Sequence, residues 1–293
     1  MLSISDLPEG CITNIISFTS PRDACASSLV SSTFKSAADS DVVWEKFLPS
    51  DYTDILSRSV SPLSFDDFPS KKQLYFRLCD DPVLIDGGKK SFNLEKRSGK
   101  KCFTVGAREL VIAWGESPRY WEWQSHPDSR FSEVVELKDV CFLEILGKIE
   151  TKMLSPKTTY VAYFVFKYVE GGAHGLDYPA AEGIVEFVGE GGNASGHRSV
   201  YLDHHHETGL SHLTLDEGPE VAPEEGQLPK RRGDGWMEVE IGEFYNDQGE
   251  DGDVKMIVQE VKGGHWKRGI IVEAFELRPN KTKRLSGSIA TSW

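Results

Sequence analysis

The sequence predicts a mainly β protein: an antiparallel β-sandwich of jelly-roll type, preceded by a small α-helical module. Two observations carry this. From about residue 103 apolar residues recur with period two, in short segments separated by Gly, Pro, Asn and Asp clusters and with no long helix between them. Before that, the first fifty residues place apolar side chains at helical spacing behind prolines. A length of 293 residues with 39% apolar content suffices for about two cores.

The helical starts follow in order. In SDLPEGCITNIISF, Asp6 is placed to cap a first helix, Pro8 falls in its first turn, and Glu9 takes the third position of a capping box. Cys11, Ile12, Ile15 and Ile16 then lie on one helical face. A second start is Ser20, Pro21 and Asp23, with Ala24, Cys25, Leu29 and Val30 behind it. A third runs from Ser40 through Val43, Trp44, Phe47 and Leu48 until Pro49 stops it. Three short helices bury too little surface to stand alone, so a partner covering their apolar faces is a physical expectation.

Residues 50–102 read as a helical and charged connector, with a helix in SKKQLYFRLCDD and a turn-rich link in DGGKKSFNLEKRSGKK. Its lysines, Lys89, Lys90, Lys96, Lys100 and Lys101, fit either a phosphate-binding or nuclear-import patch or an ordinary solvated surface. The sandwich spans 103–280, and 281–293 is a flexible tail. Its strands are ELVIAW, VVELKDVCFLEILGKIE, TYVAYFVFKYV, GIVEFV, GWMEVEIGEFY, VKMIVQEV and GIIVEAFELRP. TYVAYFVFKYV is apolar on both faces, which suits a strand buried between layers.

Charge and cysteine content narrow the function classes. The chain has 33 basic and 46 acidic side chains, a net charge of −13, and residues 101–280 hold 32 of the acids against 18 of the bases. A generic nucleic-acid binder needs a basic surface instead. No apolar run is long enough for a membrane span, and MLSISDLPEG lacks the basic and apolar parts of a signal peptide. Five scattered cysteines with no CxxC pair read as reduced thiols in cytoplasm or nucleus, with no structural zinc and no cofactor.

Two segments carry candidate chemistry. AWGESPRYWEW gathers Trp114, Tyr120, Trp121 and Trp123 around a Ser-Pro turn, where flat rings could stack on sugar C–H faces or simply fill a core. Alternation places Trp121 and Trp123 on the same side of their strand. GEFYNDQGEDGD puts Glu243, Asn246, Asp247, Gln248, Glu250, Asp251 and Asp253 in one Gly-flanked loop. That loop suits hydrogen bonding to vicinal hydroxyls, though calcium ligation without the EF-hand order, or a glycosidase pair of Glu243 and Glu250, fits the residue types too. His204, His205 and His206 are consecutive, so on a strand they point to opposite faces and do not converge on a metal.

Order along the chain adds a resemblance. LPEGCITNIISFTSPRDACASSLVSSTFKSAADSDVVWEKFLP, over residues 1–49, resembles an F-box in its leading Leu-Pro, its Ser-Pro-Arg-Asp turn and its closing Val-Trp-x-x-Phe-Leu-Pro. That resemblance implies docking of a Skp-type adaptor, and through it a cullin–RING ubiquitin ligase, with Leu7, Pro8, Ile12, Ile15, Val30 and Trp44 on or just beneath the docking face. VIAWGESPRYWEW, GKIETKMLSPKTTY, RGDGWMEVEIGEFYNDQGEDGDVKM and WKRGIIVEAFELRP, in that order, resemble the phloem protein 2 or Nictaba-type lectin domain.

The second resemblance implies a non-catalytic nucleocytoplasmic lectin for N-acetylglucosamine-containing glycans. Trp114, Trp121, Glu243 and Glu250 fall on its binding positions, with Trp123 beside them. Residues 170–232 are longer and richer in Gly, His and Glu than in simple lectins and read as an insertion able to cover the sugar site. The expectation is the substrate-recognition subunit of a Skp–cullin–F-box ligase, not an enzyme itself, with self-association of the lectin domain left open. The alternatives are a sugar-independent protein-recognition module and a carbohydrate-active hydrolase. Deleting residues 1–49 is expected to abolish adaptor binding and leave the sandwich folded.

Overall fold

The computed structural model describes residues 7–61, 68–188, 197–203, 226–248 and 252–280. Its helices begin where capping side chains and prolines favour a start. The first, α1 (Glu9–Ser17), opens two residues later than expected: Pro8 precedes it, and its carbonyl accepts the N–H groups of Cys11 and Ile12. Asp6 lies outside the described residues. For α2 (Pro21–Ser27), Ser20 caps the N–H of Asp23 at 3.2 Å and donates its hydroxyl to the Asp23 carboxylate at 2.7 Å. Then come α3 (Ser32–Asp39), capped by Ser31, and α4 (Asp41–Phe47). After α5 (Tyr52–Ser57), the connector helix is α6 (Lys71–Asp80), with Ser70 capping Gln73.

The strands are β1 (Val83–Ile85), β2 (Lys90–Leu94), β3 (Lys101–Gly106), β4 (Val111–Ile112), β5 (Trp121–Gln124), β6 (Val134–Leu137) and β7 (Leu143–Glu150). They continue with β8 (Thr158–Tyr168), β9 (Ala181–Val188), β10 (Arg198–Val200), β11 (Lys230–Arg231), β12 (Met237–Asn246), β13 (Asp253–Glu260) and β14 (Ile270–Pro279). One sheet runs β1-β2-β3-β14-β8-β12-β11, with the β5–β6 hairpin attached to β14. The other runs β10-β9-β13-β7-β4. Every named strand pair is antiparallel. The sandwich expected from the period-two pattern is therefore present, in two sheets.

The connector is more than a link. Its segment 83–94 forms β1 and β2, which extend the first sheet past β3, so the sheet begins well before residue 103. The stretch read as an insertion also builds the fold: β9 pairs with β13 along its length and lies inside the second sheet. Glycines let the sheets approach closely. A Cβ on Gly147 of β7 would stand 2.7 Å from the Phe275 ring of β14.

A single buried cluster runs from Ile12 of α1 to Leu277 of β14. Trp44 of α4 meets Tyr75 of α6 at 5.1 Å, α6 packs on β2, and Phe92 of β2 meets Phe103 of β3 at 5.4 Å. Within the sandwich, Phe244 of β12 reaches Phe187 of β9 at 5.3 Å. The helices thus share a core with the sheet, and removing residues 1–49 would uncover Leu74, Tyr75 and Leu78 rather than leave the rest intact. Strand β8 is covered on both faces, since Val165 joins Val134, Trp236 and Ile271 on the side away from the second sheet.

On that outer side Glu273 is buried, with the Ser129 hydroxyl donating to it at 2.9 Å. Desolvation raises its carboxyl above the usual range, despite Arg130 and Arg232 nearby. The raised folded value means that its stabilising contribution is present below the unfolded carboxylate value of about 4.3 and lost as pH rises through the folded one. Glu273→Gln is therefore expected to raise the melting temperature near pH 7 and to lose that advantage below about pH 4, in thermal melts across pH.

Candidate functional site

The helical module presents an uncovered apolar surface. Phe18 is 82% exposed, Leu29 87%, Val30 68% and Ile15 50%, and Leu7, Pro8 and Cys11 are exposed beside them. Beneath lie Ile12 and Trp44, both fully buried, and the Trp44 indole donates to the Ala38 carbonyl at 2.7 Å. Of the residues assigned by sequence to the docking face, Leu7, Pro8, Ile15 and Val30 are on the surface. Ile12 and Trp44 support it from inside, and Phe18 and Leu29 extend it.

The tryptophan segment divides in a similar way. Trp121 is 1% exposed and Trp123 is half-buried, with the Arg108 guanidinium 3.7 Å from its ring centre. Neither ring offers a free face. Trp121 donates its indole N–H to the Ala113 carbonyl at 3.0 Å, and Trp123 donates to Gly115 at 2.8 Å. These carbonyls flank Trp114, which has a φ of 56° and is half exposed. A left-handed tryptophan is strained and needs such fixing. Two indoles thus pin the backbone that presents the third, and Trp114 lies against Tyr120 at 5.6 Å and Phe142 at 5.5 Å.

Two further exposed rings stand at this end of the sandwich, Trp266 in the β13–β14 loop and Tyr178 in the β8–β9 loop. Val140, two residues before Phe142, exchanges both backbone hydrogen bonds with Lys267, next to Trp266. His265 bonds the Gly175 carbonyl at 2.8 Å, tying the two loops together. Lys267 is fully buried and donates to Cys141 at 2.9 Å and His265 at 3.0 Å while pairing with Glu260. Burial would raise the Glu260 carboxyl, but Lys267 and the N–H groups of Gly263 and Lys262 hold it below the usual range. Sequence reasoning passed over Trp266 and Tyr178. The available signal was a lone aromatic ring in a Gly-flanked loop, KGGHWKRG, and another before Pro179.

Glu243 lies at the other end. The β7–β13 ladder runs from Leu143 opposite Glu260, beside Phe142, to Glu150 opposite Asp253, beside the β12–β13 loop. Seven strand steps separate these ends by about 23 Å. Glu243 accepts from the Asn280 amide at 3.0 Å. Asn246 donates to Ser155 at 3.0 Å, and the Asp247 carbonyl accepts from Lys157 at 2.7 Å, so much of that loop stitches β12 to the β7–β8 connection. Glu250 lies outside the described residues. The structure therefore does not bring Trp114 and Glu243 into one sugar-sized site.

Among the described residues, no group of three or more His, Cys, Asp and Glu is arranged to hold a metal, and His204, His205 and His206 lie outside them. No described helix is long and apolar enough to cross a membrane.

Comparison with known proteins adds to this geometry. Residues 100–279 match the Phloem protein 2 family, and residues 4–46 match the F-box domain. The chain is 46% identical to F-box protein At2g02240 of Arabidopsis thaliana, over 94% of this chain and 80% of that protein. It is 44% identical to F-box protein PP2-B10 of the same plant, over 94% and 93%. Among solved structures, a Podospora anserina GH26-CBM35 β-(1,4)-mannanase aligns at 11% identity over 63% of this chain and 29% of that one, with a TM-score of 0.32.

Proposed function

Because the chain belongs to the F-box proteins that carry a phloem protein 2 domain, we propose that it is a substrate receptor of a Skp–cullin–F-box ubiquitin ligase in the cytoplasm and nucleus. The observation that carries this reading is the bare apolar surface of Leu7, Ile15, Phe18, Leu29 and Val30, on a module whose interior is otherwise closed. A monomer rarely leaves this many large apolar side chains of one small module in water, and a partner helix or groove would bury them. Ubiquitin transfer belongs to other subunits, so the chain itself supplies recognition and position.

The target end is the aromatic one. Trp114, with Trp266 and Tyr178 on adjoining loops, accepts an N-acetylglucosamine-containing glycan by stacking, at ~1 kcal/mol or about fivefold in affinity for each ring engaged. On a glycan array, Trp114→Ala is expected to lose signal. Trp121→Phe, which leaves a smaller aromatic ring in the core and removes the N–H to Ala113, is expected to weaken it. Equal array signal from wild type and Trp114→Ala would remove the sugar site from this end.

A second reading has one observation in its favour. With Trp121 buried and Glu243 bonded to Asn280 at the far end, the sandwich could recognise protein without sugar. That reading expects no array signal from wild type, while ubiquitination of a target in a reconstituted ligase persists after glycosidase treatment.

A further inference from the structure

The lysines grouped as a patch in the sequence are dispersed by ion pairing. Lys89 and Lys90 meet Glu109, Lys96 meets Asp80, and Lys101 meets Asp51. Lys100 is different. Its ammonium is half-buried and reaches only the Pro156 carbonyl, at 3.4 Å, with no carboxylate beside it among the described residues. Desolvation accordingly holds it below the ordinary lysine range.

Lys100 lines a cavity of about 710 Å³ between the helical module and the sandwich. The walls are the α1–α2 connection at residues 17–23, the end of α4 and its continuation at 46–51, and the β2–β3 turn, closed by Pro156 and Asn280. Arg22, Lys46 and Arg97 also line it, and none of them is paired with a carboxylate among the described residues. The acids on the same walls are already engaged. Asp51 holds Lys101, Glu95 accepts the N–H groups of Arg97 and Ser98, and Asp23 accepts from Ser20.

The walls are fixed against each other. Gly99 has a φ of +70°, and a Cβ there would stand 2.6 Å from the Phe47 carbonyl at the end of α4. Only a glycine allows the turn to rest on the helix end in that conformation. In a chain of net charge −13, this cleft gathers five cations against three carboxylates, counting Lys101 with the four unpaired ones. Arginine and lysine side chains lining one recess favour an anion that can accept several charge-assisted hydrogen bonds.

We propose that the cleft is a binding site for a phosphoryl-bearing ligand, met by Lys100 on the inner wall and by Arg22, Lys46 and Arg97 around it. The volume exceeds what one inorganic phosphate needs, so the ligand carries either several phosphates or a phosphoryl group on a larger residue. Such a ligand would bridge the helical module and the sandwich and hold their relative position.

The test is calorimetric titration of the full chain at low salt with inorganic tripolyphosphate and, separately, with a phosphoserine peptide. Saturable binding is expected, weakened about tenfold or more by Lys100→Gln and, independently, by the exposed changes Arg22→Gln and Arg97→Gln, and unaffected by Lys89→Gln outside the cleft. Circular dichroism of each variant checks the fold. Tighter binding of the peptide identifies a modified protein segment as the source, and tighter binding of tripolyphosphate a small polyanion; either supports the site. Absence of saturable binding with both probes, or equal weakening by Lys89→Gln and the three cleft variants, would overturn it.

Discussion

Replacing Trp44 with alanine is expected to destabilise the protein by about 3–5 kcal/mol, the range for a fully buried tryptophan whose space does not refill. Its ring contacts Phe47, Tyr75 and Phe76 at 5.1–5.5 Å, and its indole N–H satisfies the Ala38 carbonyl at the α3–α4 junction. The loss would fall on both sides of the joint between helices and sheet, because Tyr75 and α6 pack onward to β2. A denaturant melt followed by tryptophan fluorescence and circular dichroism should show one transition at lower midpoint. Trp44→Phe should recover most of the ring packing but not the hydrogen bond. A change below about 1 kcal/mol would mean that the shared core contributes little.

The second large effect is expected at Lys267. Lys267→Met would leave the Glu260 carboxylate buried without its counter-ion, at a cost of about 3–5 kcal/mol. Both side chains are nearly inaccessible, at 1% and 4%, so solvent screening gives little relief. The pH dependence has a definite sign. The folded value of Glu260 is depressed, so its contribution is present above the unfolded value of about 4.3 and lost as pH falls through the folded one. The gap between wild type and Lys267→Met should therefore narrow on acidification, and Glu260→Gln added to Lys267→Met should recover part of the loss. A gap independent of pH would place the cost in packing alone.

How far these features could be read in the sequence depends on the range of the interaction. Ser20-Pro21 and Ser70 announce helix starts by local capping, and both are where the pattern puts them. Helix α3 has little sequence signature, because only Phe34, Ala37 and Ala38 mark its inner side. Strands β1 and β2 lie beside and within a lysine-rich link, and their apolar residues, Val83, Ile85, Phe92 and Leu94, gain their cover from distant elements, α5 over β1 and α6 and β3 over β2.

The candidate site shows the same division. Alternation correctly puts Trp121 and Trp123 on one side of β5, but their role as supports for Trp114 rests on hydrogen bonds eight residues back in sequence to Ala113 and Gly115. The distance between Trp114 and Glu243 is set by the pairing of β4 with β7 in one sheet and β12 with β8 in the other. No local pattern encodes that. The same topology separates the helical module and its cleft, near the β2–β3 turn, from the exposed aromatic rings at the other end of the sandwich.

The most direct test of the receptor assignment is complex formation between the full chain and a Skp-type adaptor, measured by size-exclusion chromatography and calorimetry. Ile15→Asp with Val30→Asp changes only exposed side chains and should leave the fold and melting temperature close to wild type. Wild type is predicted to form a stoichiometric complex and the double variant to bind about 100-fold or more weakly, as expected when charge enters the centre of an apolar interface. Unchanged affinity of the folded double variant, or absence of a complex with wild type, would contradict the account.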